Sequence, residues 1–306
     1  MAYDIIGDVH GQDGKLKALL AKLGYRIKDG AYRHPDGHMA LFLGDLIDRG
    51  PGQIEVVNLV RNMIEAGSGR TIMGNHEWNA IGFATVRPDG KGFLRNRSPN
   101  RFTQHEAFLR QVGLDSALHK EWVGWFKTLP PFLDLGALRL CHAWWNPEFI
   151  TMIGEHSLAD GALDESFMLS SFEKGSPSWV AMEGVTKGLE VILPEGSSFL
   201  DHTGVERKEI RVRWWDEAAT TYRKAALVPE AHRQGIPEVS LPDHIRLGNT
   251  EGIPTFLGHY WLSGTPTIQN ATTAVLDYSA AKKGPLVAYR WDGEPVLSDR
   301  AFVLAG

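Results

Sequence analysis

Three apolar runs in the first 77 residues end alike, in a glycine followed by an acid or amide, with a histidine or arginine close behind. The run over 3–7 leads into Gly7-Asp8-Val9-His10-Gly11. The run over 39–43 leads into Gly44-Asp45-Leu46-Ile47-Asp48-Arg49-Gly50, and that over 70–73 into Gly74-Asn75-His76-Glu77. Between the runs lie two stretches with helical spacing. Over 13–23, Leu16, Leu19, Leu20 and Leu23 fall on one face; over 53–66, Ile54, Val57, Val60 and Ile64 do so. Asp13 is placed to cap the first helix and Gly24 to end it. Strand, helix, strand, helix, strand predicts a mostly parallel sheet with crossover helices. In such a sheet ligands bind beyond the carboxyl ends of the strands. The three turns should therefore meet at one edge.

The pattern changes after Ala84. The stretch 87–101, rich in Pro, Gly, Asn and Arg, reads as an exposed loop, basic from Arg95 to Arg101 and open to a role as a lid that attracts anions. Helices are predicted over 104–112 and 117–129, the second with Trp122, Trp125, Phe126 and Leu129 inward, stopped by Pro130-Pro131. Strands are predicted over 132–135, 137–141, 254–257, 273–276 and 286–291. The stretch 144–253 has no clear period except over 209–215, where Ile210, Val212 and Trp214 alternate with Glu and Arg. No linker marks a boundary, so residues 1–306 are taken as a single domain, with 144–253 an insertion beside or over the site.

Composition narrows the possibilities. A chain of 306 residues that is 43% hydrophobic and 23% charged is an ordinary globular protein, not a disordered one. A net charge of -5 argues against sequence-independent nucleic-acid binding. The lone Cys141 excludes an intramolecular disulfide and a cysteine zinc cluster, and reads as a small buried residue. No apolar run approaches the roughly 18–20 residues of a membrane span. The first residues carry no signal-peptide pattern, so the cytoplasm is the expected compartment.

Two further strings add an imidazole each at a strand end: Leu140-Cys141-His142-Ala143 and Phe256-Leu257-Gly258-His259-Tyr260. Oxygen and imidazole donors of this kind suit manganese, iron or zinc. Asp45 has two carboxylate oxygens and can bridge two ions, with Asp8 and His10 on one and Asn75, His142 and His259 on the other. Two ions about 3.5–4 Å apart hold a water, lower its pKa and clamp the oxygens of an in-line phosphoryl displacement.

These five strings, in this order, resemble the metallophosphoesterase (calcineurin-like) superfamily. They are most similar to its phosphoprotein phosphatase branch, which includes bacterial serine/threonine phosphatases and symmetrical dinucleoside tetraphosphatases. The resemblance is close over the first 84 residues, returns around His142 and again from Gly258, and leaves the middle uncovered. It implies a four-layer α/β/β/α sandwich with two mixed sheets and an inserted, cap-like segment. It implies two divalent metals, manganese first, with iron, zinc, nickel or cobalt as alternatives. Asp8 and His10 would bind the first, Asp45 would bridge, and Asn75, His142 and His259 would bind the second. Arg49 would grip the phosphate, and His76, paired with Asp48, would protonate the leaving group. A planar guanidinium suits bidentate phosphate contact, and an imidazole held by a carboxylate stays protonated near neutral pH.

The implied reaction is hydrolysis of a phosphomonoester or phosphoanhydride by a metal-bridging hydroxide. The substrate is a phosphorylated small molecule, a nucleotide such as a dinucleoside tetraphosphate, or a phosphoprotein. A phosphate-binding regulatory protein that kept the fold is the non-enzyme alternative. The sequence departs from the family pattern at Gly258-His259-Tyr260-Trp261, where many members carry a second histidine that reaches the first metal; the phosphoprotein phosphatases lack it too. It departs again at Trp144-Trp145, where the family commonly has glycine after the His-Ala pair. A further arginine usually comes from between the last two histidines. Arg211 and Arg213, on one face of the alternating strand, are the candidates, and Arg207 is not excluded.

Other residues have plainer readings. Glu77 suits the positive end of a helix, and Asp48 doubles as a helix cap. His34, His38, His105, His119, His156, His202, His232 and His244 belong to no such string and read as surface or loop histidines. Trp144, Trp145 and Trp261 flank expected ligands and read first as core, with a pocket wall as the alternative.

Overall fold

A computed structural model of the chain describes residues 2–200, 204–245, 247–249 and 251–306. They form two compact units, Met1–Lys187 with Ile253–Gly306, and Gly188–Gly252.

The first unit holds two mixed sheets. In the five-stranded sheet the order is Phe302–Ala305, Leu286–Trp291, Tyr3–Ile6, Met39–Phe42, Gly69–Thr71. The last three run parallel, with Tyr3 level with Met39 and Ala40 with Gly69. Leu286–Trp291 is antiparallel to both of its neighbours. In the four-stranded sheet Thr273–Val275, Thr255–Leu257 and Arg139–Cys141 are parallel, and Phe132–Asp134 pairs antiparallel with Arg139–Cys141.

Alternation decides which side chains meet. Ile5, Leu41, Val287 and Tyr289 of one sheet share a buried cluster with Leu133, Leu140, Phe256 and Ala274 of the other. One residue on, Ile6 and Phe42 belong to the opposite face. There helix Asp13–Leu23 packs on the Leu286–Trp291 and Phe302–Ala305 strands, and helix Gln53–Glu65 on Gly69–Thr71. Both helices match the expected spans to within a residue. Leu16, Leu19, Leu20 and Leu23 are all buried, and Gly24 closes the first helix in a left-handed conformation. Both expected sheets are thus present, with parallel strands ending in the turns that carry the candidate ligands.

Differences lie where caps rather than periodicity set the structure. The helix expected over 104–112 runs Pro99–Val112, because Pro99 starts it at the first turn. The basic stretch is therefore part loop and part helix. Ala117–Phe126 stops three residues short of the expected end, and its Ser116 cap accepts the His119 N–H. Residues 147–187, which showed no period, form three helices in the first unit: Pro147–Glu155, Glu165–Ser170 and Pro177–Lys187. Asn146 caps the first, with Pro147 behind it, and Asp164 caps the second. These two helices are short, so their caps are a stronger signal than their faces.

The second unit is built from small pieces. Glu190–Ile192 pairs with Glu209–Arg211 and Phe199–Leu200 with Glu206–Arg207, and the helices Tyr222–Ala225 and Glu230–Arg233 have one turn each. The strand expected over 209–215 ends at Arg211. Val212 then bridges to Ala226, and Trp214 and Trp215 are buried beyond it. No helix among the described residues is long and apolar enough to cross a membrane.

Leu140 is fully buried in the cluster shared by the two sheets. Leu140→Ala should cost about 2–5 kcal/mol, read as a lower urea midpoint at an unchanged denaturant slope.

Candidate metal centre

The site is assembled from turns that hydrogen-bond to one another. The His10 N–H donates to the Asp45 carbonyl at 2.8 Å and the Gly50 N–H to the His10 carbonyl at 2.9 Å, joining the first two turns. The His76 N–H donates to Asp45 Oδ1 at 2.8 Å, joining the third. The Gly258 N–H donates to the His142 carbonyl at 3.0 Å, and the His259 N–H to Asp8 Oδ2 at 2.9 Å. Gly44 and Gly74 let the second and third turns touch: a Cβ on Gly44 would sit 2.3 Å from the Gly74 nitrogen, and one on Gly74 would sit 2.3 Å from Asp45. Among the described residues nine non-glycines have a left-handed backbone, and six of them are here: His10, Asp45, Asp48, Arg49, His259 and Trp261. Such strain gathers where a site over-determines its residues.

The expected ligands converge on Asp45. Its Oδ2 lies 3.6 Å from His10 Nε2, 3.4 Å from His142 Nε2 and 3.9 Å from His76 Nε2. Asn75 Oδ1 lies 3.2 Å from His142 Nε2 and 2.7 Å from His259 Nδ1. His10, Asp45 and His76 form one group with donor atoms all within 4.8 Å, and Asp45, His142 and His259 form another. The far nitrogens of two imidazoles are fixed by carbonyls, His10 Nδ1 by Ile47 at 2.9 Å and His142 Nδ1 by Leu43 at 2.6 Å. This aims each Nε2 at Asp45, as backbone partners orient ligating histidines. Asp8 Oδ1 and His10 Nε2 are buried with no hydrogen-bond partner. Orphaned buried donor atoms among carboxylates and imidazoles are what a pair of divalent cations would satisfy. The residues present therefore fit the expected metals.

The electrostatics point the same way. Burial, then the nearby Asp277 charge, pushes the Asp8 carboxyl well above its usual range. Burial also opposes the Asp45 charge, but His142 and His76 outweigh it and hold Asp45 low. Burial would lower His142, yet Asp45 and Asp8 raise it to about 10. The clustered carboxylates draw positive charge to this spot.

Beside the ligands, His76 Nδ1 is 2.6 Å from Asp48 Oδ2. The other carboxylate oxygen, Oδ1, is 2.7 Å from His105 Nδ1. The Asp48 N–H is held by Gln53 Oε1 at 2.7 Å. Burial works against the Asp48 charge, but His105 and then His76 hold its carboxyl far below the usual range. Burial would lower His76; the Asp45 charge and the Asp48 contact raise it instead. Arg49 is exposed, its guanidinium 4.1 Å from the Trp261 ring centre, and Lys282 Nζ lies 4.6 Å from the same ring. Trp261 is thus a wall of the site, its N–H donating to Asp277 Oδ2 at 2.7 Å. Trp145, in contrast, is buried against Phe132 and Arg139.

Sequence reasoning missed four residues. His105 and His119 are buried, not on the surface, and His105 touches Asp48. Nothing local marks His105, since its partner is 57 positions away. Glu77 is fully buried and accepts the N–H groups of Asp45, Leu46, Ile47 and Gly74. Its signal was available: glutamate three residues after a helix cap reaches back to the cap N–H. Asp277 follows an apolar strand as Asp8 and Asp45 do, without a histidine to draw notice. Of the other histidines, His34 and His38 are half-buried, His156 is exposed and hydrogen-bonded to Asp164, His232 and His244 are at least partly exposed, and His202 lies outside the described residues. Arg211 and Arg213 are engaged within the second unit, Arg211 with Glu190 at 3.2 Å and Arg213 with Asp216 at 3.4 Å and the Lys224 carbonyl. Arg207 lies on an exposed strand of the same unit.

The model of the calcineurin-like phosphoesterase family matches residues 1–217. Over 76 residues the chain is 50% identical to the asymmetrical bis(5'-nucleosyl)-tetraphosphatases PrpE of Halalkalibacterium halodurans and Bacillus subtilis. That stretch is 25% of this chain and 31% of each relative, so the chain spans about a third of their length. These relatives are named asymmetrical, where the resemblance had suggested symmetrical enzymes. A serine/threonine phosphatase of Saccharomyces cerevisiae matches over 99% of this chain and 78% of its own, at 13% identity and a TM-score of 0.48. With the family model covering residues 1–217, most of its length, the chain belongs to the calcineurin-like phosphoesterase family.

Proposed function

We propose that this protein is a two-metal phosphatase that hydrolyses phosphomonoesters or phosphoanhydrides, with a dinucleoside tetraphosphate as the substrate its relatives' names favour. One observation carries this reading: buried carboxylate and imidazole donors surround Asp45, two of them orphaned, next to a hydrogen-bonded His76–Asp48 pair. Asp8, His10, Asp45, Asn75, His142 and His259 would hold two divalent ions. Their nitrogen and oxygen atoms suit manganese, and iron, zinc, nickel or cobalt as well. When bound, the ions supply Lewis acidity to the phosphoryl oxygens and lower the pKa of a water.

The protein's own residues supply the rest. Arg49, whose guanidinium lies over Trp261, grips the equatorial oxygens of the phosphoryl group. His76 gives the proton on Nε2 to the departing oxygen, while Asp48 holds Nδ1 and stabilises the protonated ring. His105 and Gln53 hold Asp48 in turn, making them positioning residues. Arg211 and Arg213 already have carboxylate partners, so Arg49 is the substrate arginine of this proposal. The cytoplasm is the proposed compartment, which a single buried cysteine suits.

Protein stripped with chelator and reloaded with manganese should bind two ions per chain by elemental analysis, and Asp45→Asn should bind fewer. One ion at saturation in the parent would sink the two-metal reading.

His76→Asn should retain its metals yet lose about 10²–10⁴-fold in kcat on an alkyl phosphate. The loss should shrink on p-nitrophenyl phosphate, whose leaving group needs little protonation. Because the His76 pKa is raised, the alkyl phosphate rate should hold through neutral pH and fall as pH rises through that value. Equal losses on the two substrates would count against proton donation.

His105→Phe keeps the ring packing against Phe83 and Phe108 but removes the donor to Asp48. Loss of an outer hydrogen-bond partner typically costs about 10–100-fold. The drop should appear in kcat rather than KM, be larger for the alkyl phosphate, and move the alkaline limb of its pH profile. A parallel fall in metal content would place the effect at the ligands instead.

A further inference from the structure

Next to the metal ligands lies a cavity of about 150 Å³ whose walls include Arg49, His76, Asn79, Arg95, Arg101 and Gln104. Its share of space equals about five waters at roughly 30 Å³ each, enough for a phosphoryl group and some of its solvent. The same Asn79, Arg95 and Arg101 also line a second cavity of about 340 Å³. That cavity adds Lys174, Trp179 and Phe172, the last stacked on Trp78 at 4.0 Å. The two spaces therefore meet at the pair of arginines.

Among the described residues, neither arginine has a carboxylate partner. Arg95 donates to the Asn79 side-chain oxygen and Arg101 to the Asn96 carbonyl at 3.0 Å. Arg97, between them, makes the contrast. It holds Asp115 through two bonds of 2.8 and 2.6 Å and lies over Phe93, so it fastens the loop. Arg95 is half-buried. Burial, and then the like charge of Arg101, pulls its pKa to about 10. Two carboxylates share these walls, but Glu183 is paired with Lys187 and Asp48 with two imidazoles, so neither bonds a guanidinium and a bound anion would relieve the repulsion between the two arginines.

We infer that Arg95 and Arg101, with Asn79, form a subsite for the phosphates beyond the one being cleaved, so that this protein is built for substrates with a chain of phosphates. The inference rests on the phosphatase reading above and names its substrate class. The chain runs from Arg49 across Arg95 and Arg101 toward the larger cavity. There Phe172 and Trp179 offer aromatic surface to a base, and Lys174 offers a further cation. A substrate with one phosphoryl group leaves the arginine pair unfilled.

The test compares Arg95→Gln, Arg101→Ala and the conservative Arg95→Lys with the parent. Metal-loaded full-length protein is assayed on p-nitrophenyl phosphate and on diadenosine tetraphosphate. Chelator-treated protein is titrated by calorimetry with inorganic tripolyphosphate and with orthophosphate. The parent should bind tripolyphosphate more tightly than orthophosphate. Arg95→Gln and Arg101→Ala should each lose about tenfold or more of that affinity, the scale of one charge-assisted hydrogen bond. Their kcat/KM losses should be at least that much larger on diadenosine tetraphosphate than on p-nitrophenyl phosphate, and Arg95→Lys should recover part. Equal losses on the two substrates, or tripolyphosphate binding that ignores both substitutions, would overturn the inference. If the loaded parent hydrolyses neither substrate, the phosphatase reading fails, and the calorimetry still decides whether the subsite exists.

Discussion

One buried carboxylate sets the geometry on which the centre depends. Glu77 accepts the N–H groups of Gly74 and Asp45, at 2.9 and 2.8 Å, and those of Leu46 and Ile47, at 2.8 and 3.3 Å. Four donors on one side chain tie the start of the Asn75–Ala84 helix to the turn after the Met39–Phe42 strand. Asp45 and Asp48 in that turn have left-handed backbones that cost free energy in isolation. Glu77 offsets this strain and the loss of water around four amides. Burial and the neighbouring Asp45 press its pKa up to about 7, while the His76 charge and the Gly74 bond oppose them.

The same economy of buried charge runs through the site. Asp8, Asp45, Asp48, Glu77 and Asp277 are all buried within one region. So many carboxylates away from water survive only where each is hydrogen-bonded or faces a cation. Asp277 has the Trp261 and Ser279 N–H groups, and Asp48 has two imidazoles. Asp8 keeps one oxygen without a partner. The contrast sets Asp48, Glu77 and Asp277, which the protein satisfies, apart from Asp8, which it leaves partly unpaired.

A further division concerns arginine. Arg97, Arg211 and Arg213 have carboxylate partners and stabilise their surroundings. Arg49 rests on an indole ring, while Arg95 and Arg101 hold only an amide oxygen and a carbonyl. Among the described residues these three bond no carboxylate, so their donors are open to a phosphate, whereas a paired guanidinium must first give up its partner. This sorts arginines that look alike in sequence.

The sequence by itself named the candidate ligands and determined the parallel sheet that carries them. An apolar run of four or five residues ending in Gly-Asp or Gly-Asn is a local signal, and a metal accepts few side-chain types, so Asp8, His10, Asp45, Asn75, His142 and His259 were legible. Helices with long apolar faces, Asp13–Leu23 and Gln53–Glu65, were legible for the same reason. The short helices Pro147–Glu155 and Glu165–Ser170 were not, because caps start them rather than a periodic face. Only the tertiary structure decided that His105 reaches Asp48 across 57 positions and that Arg95 and Arg101 turn toward one cavity while Arg97 between them does not. Those outcomes depend on which distant side chains share a space, and packing settles that after the local pattern has been spent.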